Sequence, residues 1–116
     1  MEQRKHYRAH VQYAASFSGP SHRGQGIILN LSVLGCKARS SFVVNKNDAL
    51  GVLIDVPRYQ QPLYISHAIV RWSHEQEFGM EFIQMELVDQ QRLCDLIRAL
   101  KAARRSRTTN GESDSL

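Results

Sequence analysis

An alternation of apolar and polar side chains marks residues 11–17. The apolar positions on one face are Val11, Tyr13, Ala15 and Phe17. A period of two is typical of a strand with one buried face, so this segment predicts the first strand. The glycines and proline that follow, Gly19, Pro20, Gly24 and Gly26, predict a turn. Apolar residues resume at Ile27, and the pattern therefore predicts a hairpin.

Short apolar segments separated by polar or glycine-containing breaks predict the remaining strands. The third strand follows Gly35, and the fourth covers Leu50 to Val56. The fifth covers Leu63 to Trp72, and the sixth covers Phe78 to Ile83. Glycine is expected where the backbone has a positive φ or where a ligand comes close, which makes Gly35 a position of interest.

The spacing of apolar residues changes from a period of two to a helical period near residue 87. Apolar residues at i, i+3, i+4 and i+7 are Leu93, Leu96, Ile97 and Leu100. This spacing predicts an amphipathic helix over about residues 87–103. Because such a stripe is not stable alone in water, we expect the helix to cover an opening or a face of the sheet. Six short strands closed by a helix predict a barrel.

The length of 116 residues is enough for one domain with a single core. We expect this domain to cover residues 1–103, with a flexible N-terminal arm over 1–9, a barrel over about 10–84 and a helix over about 87–103. After Ala103 the only apolar residue is Leu116, so residues 104–116 are predicted to form a disordered tail.

The composition is that of a soluble globular domain, with 42% hydrophobic and 22% charged residues. No segment has the roughly 18–20 apolar residues of a membrane span, so no membrane insertion is expected. Cys36 and Cys94 have no second thiol or histidine at ligand spacing, which favours the reducing cytoplasm. The net charge of +4 is too small to indicate a protein that coats nucleic acid.

Two groups of residues carry the candidate binding chemistry. Arg4 and Arg8 lie in the arm, and Asn30, Ser32 and Gly35 lie where the second strand passes into the third. The planar fork of arginine suits phosphate oxygens and the O6 and N7 acceptors of guanine. On an extended strand Asn30 and Ser32 would point to the same surface. Gly35 has no Cβ to hold a ligand off.

These residues resemble the motifs of the PilZ domain family. Residues 4–8, RKHYR, match its RxxxR motif, and residues 30–35, NLSVLG, match its D/NxSxxG motif. Residues 68–72 are similar to the penultimate strand of the family, and residues 78–82 are similar to its final strand before the helix. The resemblance covers about residues 3–100.

The resemblance implies an all-β fold with a C-terminal helix, a six-stranded antiparallel PilZ-type β-barrel. It also implies a receptor for the bacterial second messenger cyclic di-GMP. Arg4 and Arg8 would then clasp the guanines and phosphates, and Asn30, Ser32 and Gly35 would receive the nucleotide from the barrel side. We expect the arm to be loose without ligand and to fold over the barrel when the nucleotide bridges the two segments, which presents a new surface to an effector protein.

Two other classes of function remain open. The first is a β-barrel that binds single-stranded nucleic acid, through basic residues and the aromatics Tyr7, Tyr13, Phe17 and Tyr59, although these aromatics are not clustered. The second is a module that contacts a partner protein through the helix or a barrel edge and binds no nucleotide.

The sequence contains no recognised catalytic or metal-binding pattern. The acidic residues form no motif with a histidine or serine, so we expect no enzyme and no catalytic residues. The histidines lack ligand spacing, so we expect no metal and no cofactor. Trp72 is expected to be structural, and Cys36 to be a small buried residue. Arg8 and Ser32 are expected to lie outside the core.

Overall fold

The computed structural model describes residues 6–20 and 23–114, with side chains as far as Arg105. These residues form six strands and one helix: β1 (Ala9–Ser18), β2 (Arg23–Leu31), β3 (Gly35–Ser40), β4 (Ala49–Ile54), β5 (Leu63–His74), β6 (Glu77–Gln84) and α1 (Leu87–Asp114). Each predicted strand is present, and the observed bounds differ from the predicted ones by a few residues.

The strands form a closed barrel in the order β1-β2-β3-β6-β5-β4. Every neighbouring pair is antiparallel, and the pairing of Ala15 on β1 with Ile54 on β4 closes the ring. The predicted fold, a six-stranded antiparallel barrel with a C-terminal helix, is confirmed. Closure satisfies the strand edges that would otherwise be free to pair with other chains.

The register of β1 against β2 determines which parts of the chain meet. Ala9 is paired with Leu31 and His10 with Asn30, although these residues are far apart in sequence. Arg8 directly precedes β1, so it lies beside the turn that joins β2 to β3. An arm that enters β1 is therefore held next to the end of β2.

The barrel interior is filled by apolar side chains from every strand. Buried examples are Phe17, Ile28, Ala38, Val52, Ile65 and Phe78. Phe17 and Phe78 meet edge to face, with ring centroids 5.4 Å apart and planes at 69°. The period-two alternation of the sequence is thus the alternation between this interior and the outer surface.

Two glycines that the sequence assigned to a turn lie inside β2. Gly24 and Gly26 follow Arg23, where the strand begins. A Cβ on Gly26 would stand 2.1 Å from the carbonyl oxygen of Arg39 on β3. The predicted extent of the turn is therefore wrong, because Gly26 permits a close approach of two strands and does not reverse the chain.

Helix α1 packs against β1 and β5 through its predicted apolar stripe. Leu93, Leu96 and Ile97 are buried in the core. At the start of the helix, the Oδ1 atom of Asp89 accepts hydrogen bonds from the backbone N–H of Tyr64 at 3.2 Å and from Arg92 Nη1 at 3.1 Å. An acidic side chain in the first turn also interacts favourably with the helix dipole.

The helix continues to Asp114, past the predicted end at about residue 103. Loss of apolar residues ends the packed stripe, but alanine, lysine and arginine have high intrinsic helix propensity and make up six of the seven residues 101–107. The predicted helix end is therefore too early. The domain boundary at residue 103 and the disorder of residues 104–116 in solution stay predictions.

Asp89→Ala should destabilise the protein by about 2–3 kcal/mol, because it removes a buried acceptor and leaves the part-buried Tyr64 amide and Arg92 without their partner. Asp95→Ala is the matched control, since Asp95 also pairs with an arginine three residues on, Arg98, but its side chain is 55% exposed. The control should cost less than about 0.5 kcal/mol. Urea unfolding measures both values, and equal losses would contradict the anchoring role of Asp89.

Candidate ligand-binding site

Ser32 fastens the turn between β2 and β3. Its Oγ accepts hydrogen bonds from the backbone N–H groups of Leu34 at 3.1 Å and Gly35 at 3.2 Å. The hydroxyl donates to the carbonyl of Gly35 at 3.3 Å, and the backbone N–H of Ser32 donates to the same carbonyl at 2.9 Å. Ser32 is only 2% exposed, so the expectation that it lies outside the core is wrong.

Asn30 and Ser32 do not share a surface, which corrects the expectation from their spacing. The two-residue rule holds only within a strand, and β2 ends at Leu31. Ser32 is therefore free to turn into the bend, whereas Asn30 lines a cavity on the outside of the barrel. The pairing of β2 with β3 is irregular between Ile28 and Asn30, and such bulges re-aim side chains.

The side chain of Asn30 connects the arm to the barrel. Its Oδ1 atom accepts a hydrogen bond from Arg8 Nη1 at 3.0 Å and another from the backbone N–H of Lys37 at 3.2 Å. One acceptor thus links the end of the arm, β2 and β3. The two motifs that the sequence identified meet here, at Arg8 and Asn30, while Arg4 lies outside the described residues.

Gly35 is required by strand packing. None of the described glycines has a positive φ. A Cβ on Gly35 would stand 2.2 Å from the carbonyl oxygen of Met80 on β6. Backbone contact between β3 and β6 is therefore sufficient to explain the glycine, and its predicted role in admitting a ligand stays a prediction.

The cavity beside Arg8 and Asn30 has a volume of about 390 Å³ and lies over β3, β5 and β6. Its lining comprises Arg8, Asn30, Leu34, Gly35, Cys36, Lys37, Arg71, Trp72, Gly79, Met80 and Glu81. Of the five predicted binding residues, Arg8, Asn30 and Gly35 are in this lining, and the buried Ser32 is not. The volume is within the range of small-molecule sites.

The charged groups of the cavity are partly paired with carboxylates. Lys37 Nζ lies 3.2 Å from Glu77, outside the lining, and Arg71 Nη2 lies 2.7 Å from Glu81, within it. Hydrogen bonds from Arg39 and Lys37 hold the pKa of Glu77 below its ordinary value. Because three cations face one acid among the described lining residues, the cavity has a cationic balance that suits an anion.

Trp72 lies in the cavity wall, although sequence reasoning set it aside as structural. A Cβ on Gly79 would stand 2.1 Å from Trp72 Nε1, so the indole lies directly over the glycine of the neighbouring strand. The ring remains 44% exposed. Trp72 on β5 is paired with Gly79 on β6, and a large aromatic opposite a glycine is a signal of a ring that lies flat on the barrel surface. The sequence alone does not give this signal, because it requires the strand pairing.

Cys36 belongs to the cavity lining but is only 2% exposed. Burial raises the pKa of its thiol to about 12, although the charge of Arg8 lowers it slightly. The thiol is therefore protonated at neutral pH and is a poor nucleophile, in agreement with the prediction of a small buried residue.

Metal-ligating groups, long apolar helices and exposed aromatic rings bear on other classes of function. No group of three or more histidine, cysteine or acidic side chains among them could hold a metal ion. No helix in the described part of the chain is long and apolar enough to cross a membrane. The aromatics Phe17 and Tyr59 form no exposed platform, since Phe17 is in the core and Tyr59 lies under Arg92, 4.9 Å from its guanidinium carbon.

Comparison of the sequence with known families assigns the class of protein. A sequence profile described as "PilZ domain" matches residues 2–99. The chain belongs to the PilZ domain family. The matched residues include the RxxxR motif at 4–8, the D/NxSxxG motif at 30–35 and the strands that line the cavity.

Three solved structures share the fold at low sequence identity. The Bacillus subtilis inhibitor of motility, MotI/DgrA, superposes with a TM-score of 0.74 at 17% identity, covering 90% of this chain and 54% of that chain. YcgR from Escherichia coli in complex with c-di-GMP gives 0.76 at 12% identity, covering 94% and 50%. The PilZ domain of Escherichia coli YcgR with c-di-GMP gives 0.74 at 11% identity, covering 93% and 98%.

The chain spans about half the length of the first two of these proteins. It corresponds to nearly the whole of the isolated YcgR domain. No curated protein sequence matches this chain significantly.

Ser32→Ala should lower the free energy of unfolding by about 1–3 kcal/mol, because it leaves two backbone donors in the turn without their acceptor. Ser16→Ala is the control, since Ser16 is an exposed serine on β1, and it should change stability by less than about 0.5 kcal/mol. Urea denaturation followed by circular dichroism measures the difference. Identical midpoints for both variants would contradict the fastening role.

The two cysteines should differ in reactivity. At pH 8 a disulfide reagent such as DTNB should modify the partly exposed Cys94 within minutes, and Cys36 should react only after urea unfolds the barrel, because it is buried and protonated. Counting the released thionitrobenzoate before and after denaturation checks this. Rapid reaction of two thiols in the folded protein would show that the placement of Cys36 is wrong.

Proposed function

We propose that this chain is a receptor for cyclic di-GMP that signals to a partner protein in the cytoplasm. The nucleotide binds in the cavity next to Arg8 and Asn30, and the arm that carries Arg4 and Arg8 closes over it. The single observation that carries the proposal is the hydrogen bond from Arg8 Nη1 to Asn30 Oδ1, which joins the two motifs at the edge of that cavity.

The charge and shape of the cavity support a phosphate-containing ligand. Arg8, Lys37 and Arg71 supply positive charge on one side of the barrel, and cyclic di-GMP carries two negative charges. Among the residues that the structure describes, Arg8 makes one hydrogen bond to the barrel, through Nη1, so the rest of its guanidinium fork can face guanine or phosphate. The exposed indole of Trp72 offers an apolar surface beside these charges.

Arg4 completes the proposed clasp. It lies four residues before Arg8, so a short closure of the arm brings a second guanidinium to the same ligand. Arg4, Arg8, Asn30 and Gly35 are thus proposed to contact the nucleotide, and Ser32 to shape the turn that presents Asn30 and Gly35. The fold-level likeness to YcgR structures that contain c-di-GMP is consistent with this assignment.

A route from the ligand to a partner runs through Tyr7. This residue lies between the two arginines of the arm and packs against the core. Lys101 Nζ of α1 is 5.9 Å from the centre of its ring, within the range of a cation–π contact. Closure of the arm over the nucleotide changes this contact and thereby alters the helix surface that an effector protein reads.

Arg8→Ala should weaken cyclic di-GMP binding by about 1.5–3 kcal/mol, at least tenfold, because a charge-assisted hydrogen bond to the ligand is lost. Arg98→Ala is the control, since Arg98 is an exposed arginine on α1 that pairs with Asp95 and does not line the cavity. The control should bind like the wild type. Isothermal titration calorimetry at fixed salt measures all three affinities.

The proposal fails if the wild type shows no binding of cyclic di-GMP at saturating concentration in titrations at two temperatures, or if the two arginine variants lose affinity equally. Salt-sensitive binding to oligonucleotides of any sequence would instead favour a nucleic-acid-binding barrel. Thermal unfolding of Arg8→Ala should stay close to wild type, because Arg8 is only partly buried.

A further inference from the structure

The cavity proposed for the nucleotide contains a carboxylate whose presence needs a reason. Glu81 lies in the lining together with the cations Arg8, Lys37 and Arg71. A negative charge opposes the binding of a phosphate dianion at short range. Attraction of the phosphates therefore does not account for Glu81, and a different part of the ligand is the better candidate for contact.

Arg71 holds the Glu81 carboxylate through one oxygen. The Nε and Nη2 atoms of Arg71 lie 2.8 and 2.7 Å from Oε1 of Glu81, and both side chains are 50% exposed. No hydrogen bond from the described residues reaches Oε2. The carboxylate is therefore positioned at the cavity with one acceptor oxygen unused, and Arg71 offsets its charge.

The strand pairing places this carboxylate next to the exposed indole. Gly79 and Glu81 are two residues apart on β6, so they share the outer face of the barrel, and Trp72 lies over Gly79. The residue paired with Glu81 on β3 is Gly35, which has no side chain. An aromatic surface and an acceptor-only group thus lie side by side on one face.

A carboxylate can only accept hydrogen bonds. Guanine offers two adjacent donors on one edge, the N1–H and the 2-amino group, whereas adenine has an acceptor nitrogen at N1. We infer that Glu81 accepts hydrogen bonds from the N1–H and 2-amino groups of one guanine of cyclic di-GMP and so sets the base specificity of the site. Arg71 is its positioning residue. The inference rests on the proposed function.

Calorimetric titration with cyclic di-GMP and cyclic di-IMP tests the inference, because the hypoxanthine base lacks only the 2-amino group. The wild type should prefer cyclic di-GMP by about tenfold. Glu81→Gln replaces one acceptor with an amide donor that opposes the donors of guanine, so the preference should fall to about twofold or less. Circular dichroism verifies that the variant is folded.

Glu77→Gln is the matched control. Glu77 lies on the same strand and face as Glu81, pairs with Lys37 and Arg39, and is not in the cavity lining. It removes the same charge, so any change in affinity should be the same for both dinucleotides and the tenfold preference should stay unchanged. Loss of the preference in this control would mean that net charge, and not contact with the base, sets specificity.

Each remaining outcome decides the question. If Glu81→Gln changes both affinities by the same factor, Glu81 is only the counter-ion of Arg71 and the inference is wrong, while the proposed function stands. If the wild type binds both dinucleotides equally, the inference is also wrong. This outcome is read from the wild type alone, so it does not depend on whether the variant folds. If the wild type binds neither, the proposed function fails as well.

Discussion

The antiparallel register between β1 and β2 is the constraint on which the candidate site depends. Because Ala9 is paired with Leu31, the residues just before β1 lie beside the residues just after β2. Arg8 therefore reaches Asn30 without any long excursion of the chain, and the barrel brings Trp72 and Glu81 to the same side through β5 and β6. A slip of one residue in this pairing would turn Asn30 toward the core and separate the two motifs.

Residues within one short motif have different physical tasks. Asn30 is a partly buried acceptor that connects the arm to two strands. Ser32 is buried and holds the shape of the turn, and Gly35 permits the backbone of β6 to come close. Loss of ligand binding after substitution of Ser32 would therefore not by itself identify a ligand contact. Stability and affinity have to be measured together to separate the two effects.

The sequence predicts local features well and the cavity only in part. Alternation identified the strands, and the spacing of Leu93, Leu96 and Ile97 identified the helix, because burial imposes these periods directly. The resemblance to a family supplied Arg8 and Asn30. Lys37, Arg71, Trp72 and Glu81 were missed as members of the cavity, because they are distant in sequence and meet only through the pairing of β3, β5 and β6. The placement of Ser32 was wrong because its strand ends one residue earlier.

The location of the nucleotide is the central claim, and an NMR titration tests it most directly. When cyclic di-GMP is added to ¹⁵N-labelled protein, the largest shift changes should occur at the amides of Asn30 and Lys37 and at the indole N–H of Trp72. The amide of Leu53 should stay unchanged, because β4 lies on the opposite side of the barrel from β3. Shifts confined to the β4 side, or none at saturation, would contradict the account.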